Sequence, residues 1–386
     1  ATGMELPPFF TDDETLAAGG YLHRAVRRGD LLRVLFATDG DNSKWMQRLL
    51  ERRWRLDAAA RARYGLRRRR EALAALEKLG VAADQVRYLQ WPDLGTTDLL
   101  MSDPASAIDL LIDAIEEFRP SRMLIPSMSD SHPDHSALAI LAALALERLD
   151  PAMQPDEVWN FRIHGSAWDP SERVAAYIEL DDSECEARNA AMRCHATQLI
   201  GRKHWLLAQL KPAETYFVES AASESPGGPF CAPIGHPIVS AVRGPRWTWL
   251  QVVLRDRPLS FGPARLQVLT EDHCGACRTR TVTLDWPARR GAGGDETSRG
   301  DAPGGAMLAR RRLHGEVRLP SAWFAGASRT YVKIERLRGG IYDPAGWIDL
   351  TRAPLRSASP RVGHRMASEA TASTTANAQT QARTRQ

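Results

Sequence analysis

Apolar residues recur at helical spacing over 14–30 (ETLAAGGYLHRAVRRGD). Leu16, Tyr21, Leu22 and Val26 mark one candidate face there, and Gly19-Gly20 permit close packing against a neighbour. The run LLRVLFATDGDN (31–42) stays apolar until it ends in a turn cluster, the pattern of a buried parallel strand. A long helical stretch follows over 46–80 and stops at Gly80, and VRYLQWPD (86–93) is a short strand running into a loop. An amphipathic helix over 107–120 ends at Pro120, the strand RMLIPS fills 122–127, and a helix over 136–149 packs back. The strand VAAYIEL (174–180) and a helix over 183–199 repeat the alternation. Helices alternating with short apolar strands predict an α/β fold of three layers, a parallel sheet with helices on both faces, over residues 1–218.

Beyond Val218 the pattern changes. Residues 219–237 (ESAASESPGGPFCAPIGHP) read as a linker. The period then becomes that of strands, in WTWLQVVL, ARLQVLT, RTVTLDW, HGEVRLP and TYVKIERL, which predicts a small, mainly-β C-terminal domain over 238–352. A Gly/Asp/Arg-rich loop at 289–306 interrupts it. The tail 353–386 carries almost no bulky apolar residue and is expected to be disordered.

Composition adds exclusions. With 386 residues, 43% hydrophobic and 25% charged, the chain has ample material for a core. A formal charge of +4 is too small over this length to imply nucleic-acid binding. No stretch approaches 18 apolar residues, so no integral membrane segment is expected. The N-terminus lacks a charged segment followed by an apolar one, so a cytoplasmic location is expected. Five cysteines fit free thiols in a reducing compartment.

Two clusters carry candidate chemistry. Asp130-Ser-His132-Pro-Asp134-His135 follows the strand RMLIPS and runs into a helix N-terminus, where open α/β sheets place their ligands. Two histidines three apart, flanked by aspartates, suit a divalent metal oriented by a neighbouring carboxylate. The second cluster, Thr11-Asp12-Asp13-Glu14, opens the first helix. Taken alone, it also fits acids that stabilise a helix start.

Together these pieces resemble the LmbE/PIG-L family of zinc-dependent N-deacetylases. The matching segments are Phe10–Glu14 (FTDDE) at the family's HPDDE, Gly19-Gly20, Thr38-Asp39-Gly40, and His132–His135 at its HPDH. Arg70-Glu71-Ala72, Leu79-Gly80-Val81, Trp91-Pro92-Asp93, His195–Gln198 and Ala213–Tyr216 match further motifs, so the resemblance covers about residues 9–218. It implies a Rossmann-like fold and a metal-dependent amide hydrolase that removes acetyl from an N-acetylglucosaminyl unit. The substrate would be a small-molecule sugar conjugate or a glycolipid precursor. Asp13 and His135 would be zinc ligands and Asp12 the general base. His132 would stabilise the tetrahedral intermediate or protonate the leaving amine, and Arg70 and Asp93 would contact the sugar.

The resemblance also exposes a departure. The family's first zinc ligand is a histidine, and Phe10 stands there; the family's first strand is expected to be missing, with nine residues ahead of Phe10. Three readings stay open: another side chain substitutes, for which His23 on the following helix could approach although it reads first as an exposed helical histidine; the zinc is weak or absent; or the N-terminus is not native. The alternative function is a catalytically impaired relic that binds a glycan or partner. Three features remain. Ten arginines between 48 and 70 read as a solvated helix face, or as a patch for an anionic glycolipid or membrane surface. Cys274-Gly-Ala-Cys277 reads as a turn with two free thiols, or else as half a zinc site or a redox pair, and the tryptophans beyond 238 read as core, or as sugar-stacking rings.

Overall fold

The computed structural model describes residues 3–9, 13–165, 172–219, 235–253, 264–284, 314–336 and 343–351. Phe10, Thr11 and Asp12, the loop at 289–306, the tail at 353–386 and most of the proposed linker lie outside them.

In chain order the N-terminal α/β part comprises β1 (Gly3–Phe9), α1 (Asp13–Arg28), β2 (Leu31–Thr38), α2 (Lys44–Glu51), α3 (Ala58–Leu79) and β3 (Val86–Trp91). It continues with α4 (Thr96–Ser102), α5 (Pro104–Phe118), β4 (Arg122–Pro126), α6 (Pro133–Arg148) and β5 (Glu157–Phe161). The elements β6 (Glu172–Glu179), α7 (Asp182–Cys194), α8 (Ala196–Leu199), α9 (Lys203–Gln209) and β7 (Ala213–Glu219) close it. Seven strands form one sheet in the order β3-β2-β1-β4-β5-β7-β6. The first five are parallel, as the apolar runs predict, whereas β7 lies antiparallel to both β5 and β6, so the sheet is mixed at that edge.

Two expectations are corrected here. A strand does precede Phe10: β1 pairs with β2 from Gly3 and sits between β2 and β4. Pro7 and Pro8 mask it in the sequence because they have no N–H to donate. The ladder accommodates them, because its register with β2 shifts between Leu6 and Phe9 and pairing with β4 uses only Met4 and Glu5. The single helix expected over 46–80 is two. Arg52 takes a left-handed conformation (φ 51°) after α2, and the Asp57 carboxylate accepts the Ala60 N–H to start α3.

Gly19 and Gly20 serve the close approach their spacing predicts. A Cβ on Gly20 would stand 2.5 Å from Leu180 Cδ1, and one on Gly19 2.9 Å from Arg188 Cγ. Arg188 donates to the carbonyls of Thr15 and Leu16, while Glu214 accepts from the amides of Gly20 (2.9 Å) and Tyr21 (2.9 Å). This buried ion pair (3.3 Å) pins α1 to α7 and β7. Removing one partner leaves a buried charge alone. Glu214→Ala is therefore expected to lower unfolding free energy by about 3–5 kcal/mol, read by denaturant titration.

The C-terminal strands are β8 (Ile238–Arg243), β9 (Trp247–Val253), β10 (Ala264–Asp272), β11 (Cys277–Leu284), β12 (His314–Pro320), β13 (Ala327–Arg336) and β14 (Ile348–Asp349). They make a four-stranded sheet, β11-β10-β13-β14, and a three-stranded sheet, β12-β9-β8. Alternation along the strands decides what each face touches. Leu266, Val268, Val332 and Ile334 join the three-stranded sheet in one core, whereas Leu269 and Tyr331, with Trp347, join α5 and α6 in the core of the N-terminal α/β part. Trp347 is core, 1% exposed. Cys274 and Cys277 flank the β10–β11 turn as free thiols, with Gly275 at φ +79° and Asp272 accepting two turn amides. Among the described residues no helix is long and apolar enough to cross a membrane.

Candidate metal centre and active site

The site is built at the carboxyl ends of three neighbouring strands, where an open α/β sheet leaves a crevice. After β1, Asp13 starts α1. After β4, residues 127–132 form a tight loop, and His132 caps α6 by accepting the Asp134 N–H at Nδ1 (3.3 Å), with Pro133 in the first turn. After β5, His164 follows a short way beyond the strand's end at Phe161.

These elements bring three donors together. His135 Nε2 lies 2.8 Å from Asp13 Oδ2, and one donor atom each from Asp13, His135 and His164 falls within 4.8 Å of the others. Asp13 and His135 are buried and His164 partly so. Asp130 organises the group. It is fully buried; its Oδ2 stands 3.2 Å from His135 Nδ1 and accepts the amides of Ile163 (2.9 Å) and His164 (3.1 Å). Its Oδ1 accepts the His132 amide at 2.8 Å. One carboxylate thus fixes the ring of His135 and the backbone of both other histidines, as an outer carboxylate does around metal-bound imidazoles.

Electrostatics follow from this packing. Burial disfavours charge on Asp130, but the neighbouring His135 and His164 and the His132 amide outweigh it and hold its pKa well below the usual range. Burial opposes charge on His135 as well, yet Asp13 and Asp130 together raise its pKa well above the ordinary imidazole value. His132 goes the other way, lowered by burial and then by His135 and His164. A neutral His132 whose Nδ1 accepts an amide proton carries its own proton on Nε2. Asp134 accepts the amides of Leu94 (2.7 Å) and Thr96 (3.0 Å), and its pKa is pushed up to about 7 by burial and by the charge of Asp93.

One carboxylate and two imidazoles converging in a buried crevice form a donor set suited to zinc, which binds such atoms at about 2.0–2.2 Å in catalytic sites. Asp13 and Asp130 on either side of His135 favour its protonated form, so a cation taken up there competes with that proton. Metal uptake is therefore expected to release about one proton per ion, and affinity to rise with pH until the His135 pKa is passed. Calorimetric titration in two buffers of different ionisation enthalpy reads the proton count.

Other residues singled out in the sequence take distinct places. Arg70 is exposed on α3; the arginine that α3 turns inward is Arg68, 5% exposed, whose charge bears on Asp93. Asp93 is partly buried and accepts the Asn42 amide at 2.7 Å, and burial raises its pKa. His23 lies outside the cluster, its Nδ1 3.2 Å from the Leu79 carbonyl oxygen. The late motifs brace the site from behind: His195 Nε2 meets Glu14 at 3.0 Å, and Glu71 accepts from the Thr197 amide at 3.2 Å and from its hydroxyl at 2.5 Å. His164 has no counterpart in the motifs. Its signal is a histidine at the carboxyl end of a short strand, VWNF, that packs beside β4.

The C-terminal strands also reach the site. Lys333, fully buried on β13, pairs with Asp343 at 2.6 Å and donates to Thr97 Oγ1 at 3.3 Å, which in turn donates to the Pro133 carbonyl at 2.9 Å. Asp343 donates its amide to Ser131 and Trp347 to Met128, at 2.9 and 2.8 Å. A Cβ on Gly346 would overlap the Met128 carbonyl oxygen and stand 2.7 Å from that of Asp130. Gly346→Ala is expected to push this loop aside, cost about 1–3 kcal/mol in stability and reduce metal affinity through His132–His135. Thermal unfolding and zinc titration on one variant check both.

Fold and site define an α/β protein whose carboxylate and imidazole donors, of a kind that suits a divalent metal, meet at the sheet's carboxyl edge. Residues 11–146 match the family described as PIG-L, GlcNAc-PI de-N-acetylase. The 1D-myo-inositol 2-acetamido-2-deoxy-alpha-D-glucopyranoside deacetylases of Mycobacterium sp. strains KMS and JLS are each 30% identical to the chain over 226 residues, covering 49% of it and 71% of their own length. The chain belongs to the PIG-L family of deacetylases. Among solved structures, the conserved protein TT1542 from Thermus thermophilus aligns with a TM-score of 0.44 and 20% identity, over 59% of this chain and 99% of that one. The N,N'-diacetylchitobiose deacetylase of Pyrococcus horikoshii aligns at 0.44 and 16%, over 58% and 88%.

Proposed function

We propose that this protein is a zinc-dependent N-deacetylase that hydrolyses the acetamide of an N-acetylglucosaminyl conjugate, a small sugar conjugate or a glycolipid precursor. The observation that carries the reading is the convergence of Asp13, His135 and His164 in the crevice of a family whose relatives are named as deacetylases of an acetamido sugar. Asp13 and His135 would hold the ion, which supplies Lewis acidity to the acetamide carbonyl and to the attacking water. Asp12, one residue before Asp13 in the chain, takes the proton of that water as general base. His132 offers its Nε2–H to the oxygen on which negative charge develops; a neutral ring favours this role over protonating the amine. Asp93 and Arg70 are proposed at the sugar hydroxyls. The four free thiols among the described cysteines support a cytoplasmic setting.

Acetate release from N-acetylglucosaminyl-inositol and from a simple N-acetylglucosaminide tests the reading. Release that chelator abolishes and zinc restores is expected. Binding of these sugars by zinc-loaded protein without any acetate would instead support the impaired relic that Phe10 suggests.

A further inference from the structure

Helix α2 presents large apolar side chains to water while Met46 and Leu50 are only partly buried. Its buried residue is polar: Gln47 is fully enclosed, its side-chain amide donating to the Asp41 carbonyl. Of its exposed residues, Lys44, Trp45 and Leu49, two are large and apolar, Trp45 at 71% and Leu49 at 59%, four apart on one face. Trp54, 80% exposed, belongs to the same patch. The Arg48 guanidinium lies 5.4 Å over the Trp45 ring while its Nε donates to the Trp54 carbonyl oxygen at 3.1 Å. Leu66, 52% exposed, stands on α3 one turn from Arg63, which pairs with Glu51 at the end of α2. Exposed Arg52, Arg53 and Arg55 surround Trp54 in the chain.

Some arginines of this run have structural partners. Arg61, Arg63, Arg67 and Arg69 face Asp41, Glu51, Glu71 and Asp39, and Arg68 is buried. What remains outward is a short amphipathic element whose indoles and leucines point to water beside arginines. Such an element suits the headgroup zone of a lipid bilayer, where apolar side chains enter the acyl boundary and cations meet anionic lipid. A second copy of the chain fits less well, because a two-fold contact sets the arginines of one patch against the same arginines. A nucleic acid would use the indoles and arginines but leaves Leu49 and Leu66 without a partner.

We propose that the surface formed by α2, residues 52–55 and Leu66 docks onto an anionic lipid bilayer. Helix α2 follows the turn at 39–43, which Asp93, proposed above at the sugar hydroxyls, braces through the backbone and side chain of Asn42. The docking itself does not depend on the reaction assigned above.

Co-sedimentation of the full chain with phosphatidylglycerol/phosphatidylcholine vesicles, against pure phosphatidylcholine, tests this. At low salt, partition onto anionic vesicles should exceed that onto neutral ones by at least about tenfold, given about fivefold per arginine near such a surface. Tryptophan emission should shift to the blue. Trp45→Ser with Trp54→Ser should cut partition about tenfold or more, and Arg52→Gln, Arg53→Gln and Arg55→Gln together should do so and flatten the salt dependence. Thermal unfolding of both variants should match the parent, because every substituted side chain is exposed. No partition of the parent onto anionic vesicles would overturn the proposal. So would partition that neither variant changes, or variants that instead lose duplex-DNA binding or self-association.

Discussion

Replacing His164 with alanine is expected to weaken zinc binding by about 10²–10³-fold, taking structural zinc at about 10–16 kcal/mol shared over four ligands. Acetate release at limiting zinc should fall with it, and excess zinc should restore part of it. The expectation rests on geometry: His164 is held by its own backbone on Asp130 and presents a ring nitrogen to the Asp13–His135 pair. Phe10 stands where the resemblance implies a histidine, and His164, whose ring nitrogen falls within 4.8 Å of the Asp13 and His135 donor atoms, is the imidazole we propose in its place. Glutamine at 164 keeps size and polarity but not the imidazole, so it should fail alongside alanine. The same change at His23, engaged with Leu79, should leave zinc binding intact.

The second large effect is expected at Asp130. Asp130→Ala removes the acceptor for three amides, those of His132, Ile163 and His164, and the carboxylate beside His135 Nδ1. Loss of an outer carboxylate lowers metal affinity or activity by about 10–100-fold. Three buried donors left without acceptors, at about 1–3 kcal/mol each, add a stability loss of at least about 3 kcal/mol. Asp130→Asn keeps one oxygen acceptor and should recover part of the stability without recovering the zinc affinity, because an amide orients the His135 ring less strongly than a carboxylate. Denaturant titration and zinc competition with a chromophoric chelator, run on both variants, separate the two effects.

Much of this arrangement is readable from the chain alone, for physical reasons. Apolar runs such as Leu31–Thr38 are long enough to announce buried strands, and acidic or histidine-rich turns directly after them announce ligands at the sheet's edge. The Gly19-Gly20 pair signals a close approach, though not that the neighbours are Arg188 and Leu180. β1 is hidden because two prolines break the strand signal, while a register shift that only the folded ladder reveals accommodates them. The break in the helix expected at 46–80 depends on one left-handed residue, Arg52, which no periodicity marks. His164 is hidden for a different reason. β5 is five residues long, and its adjacency to β4 is tertiary; nothing local distinguishes its trailing histidine from a surface one. Lys333 looks like an ordinary strand cation, and only the folded placement of β13 beside α4 gives it Asp343 and Thr97 as partners.

The most direct test of the three-donor centre is the zinc content of the full chain after loading and gel filtration, measured beside that of His164→Ala. About one zinc per chain is expected in the parent, the number of ions a single catalytic site of this kind takes, and little in the variant at the same free zinc. A parent that retains no zinc, or a His164→Ala chain that keeps as much as the parent, would contradict it.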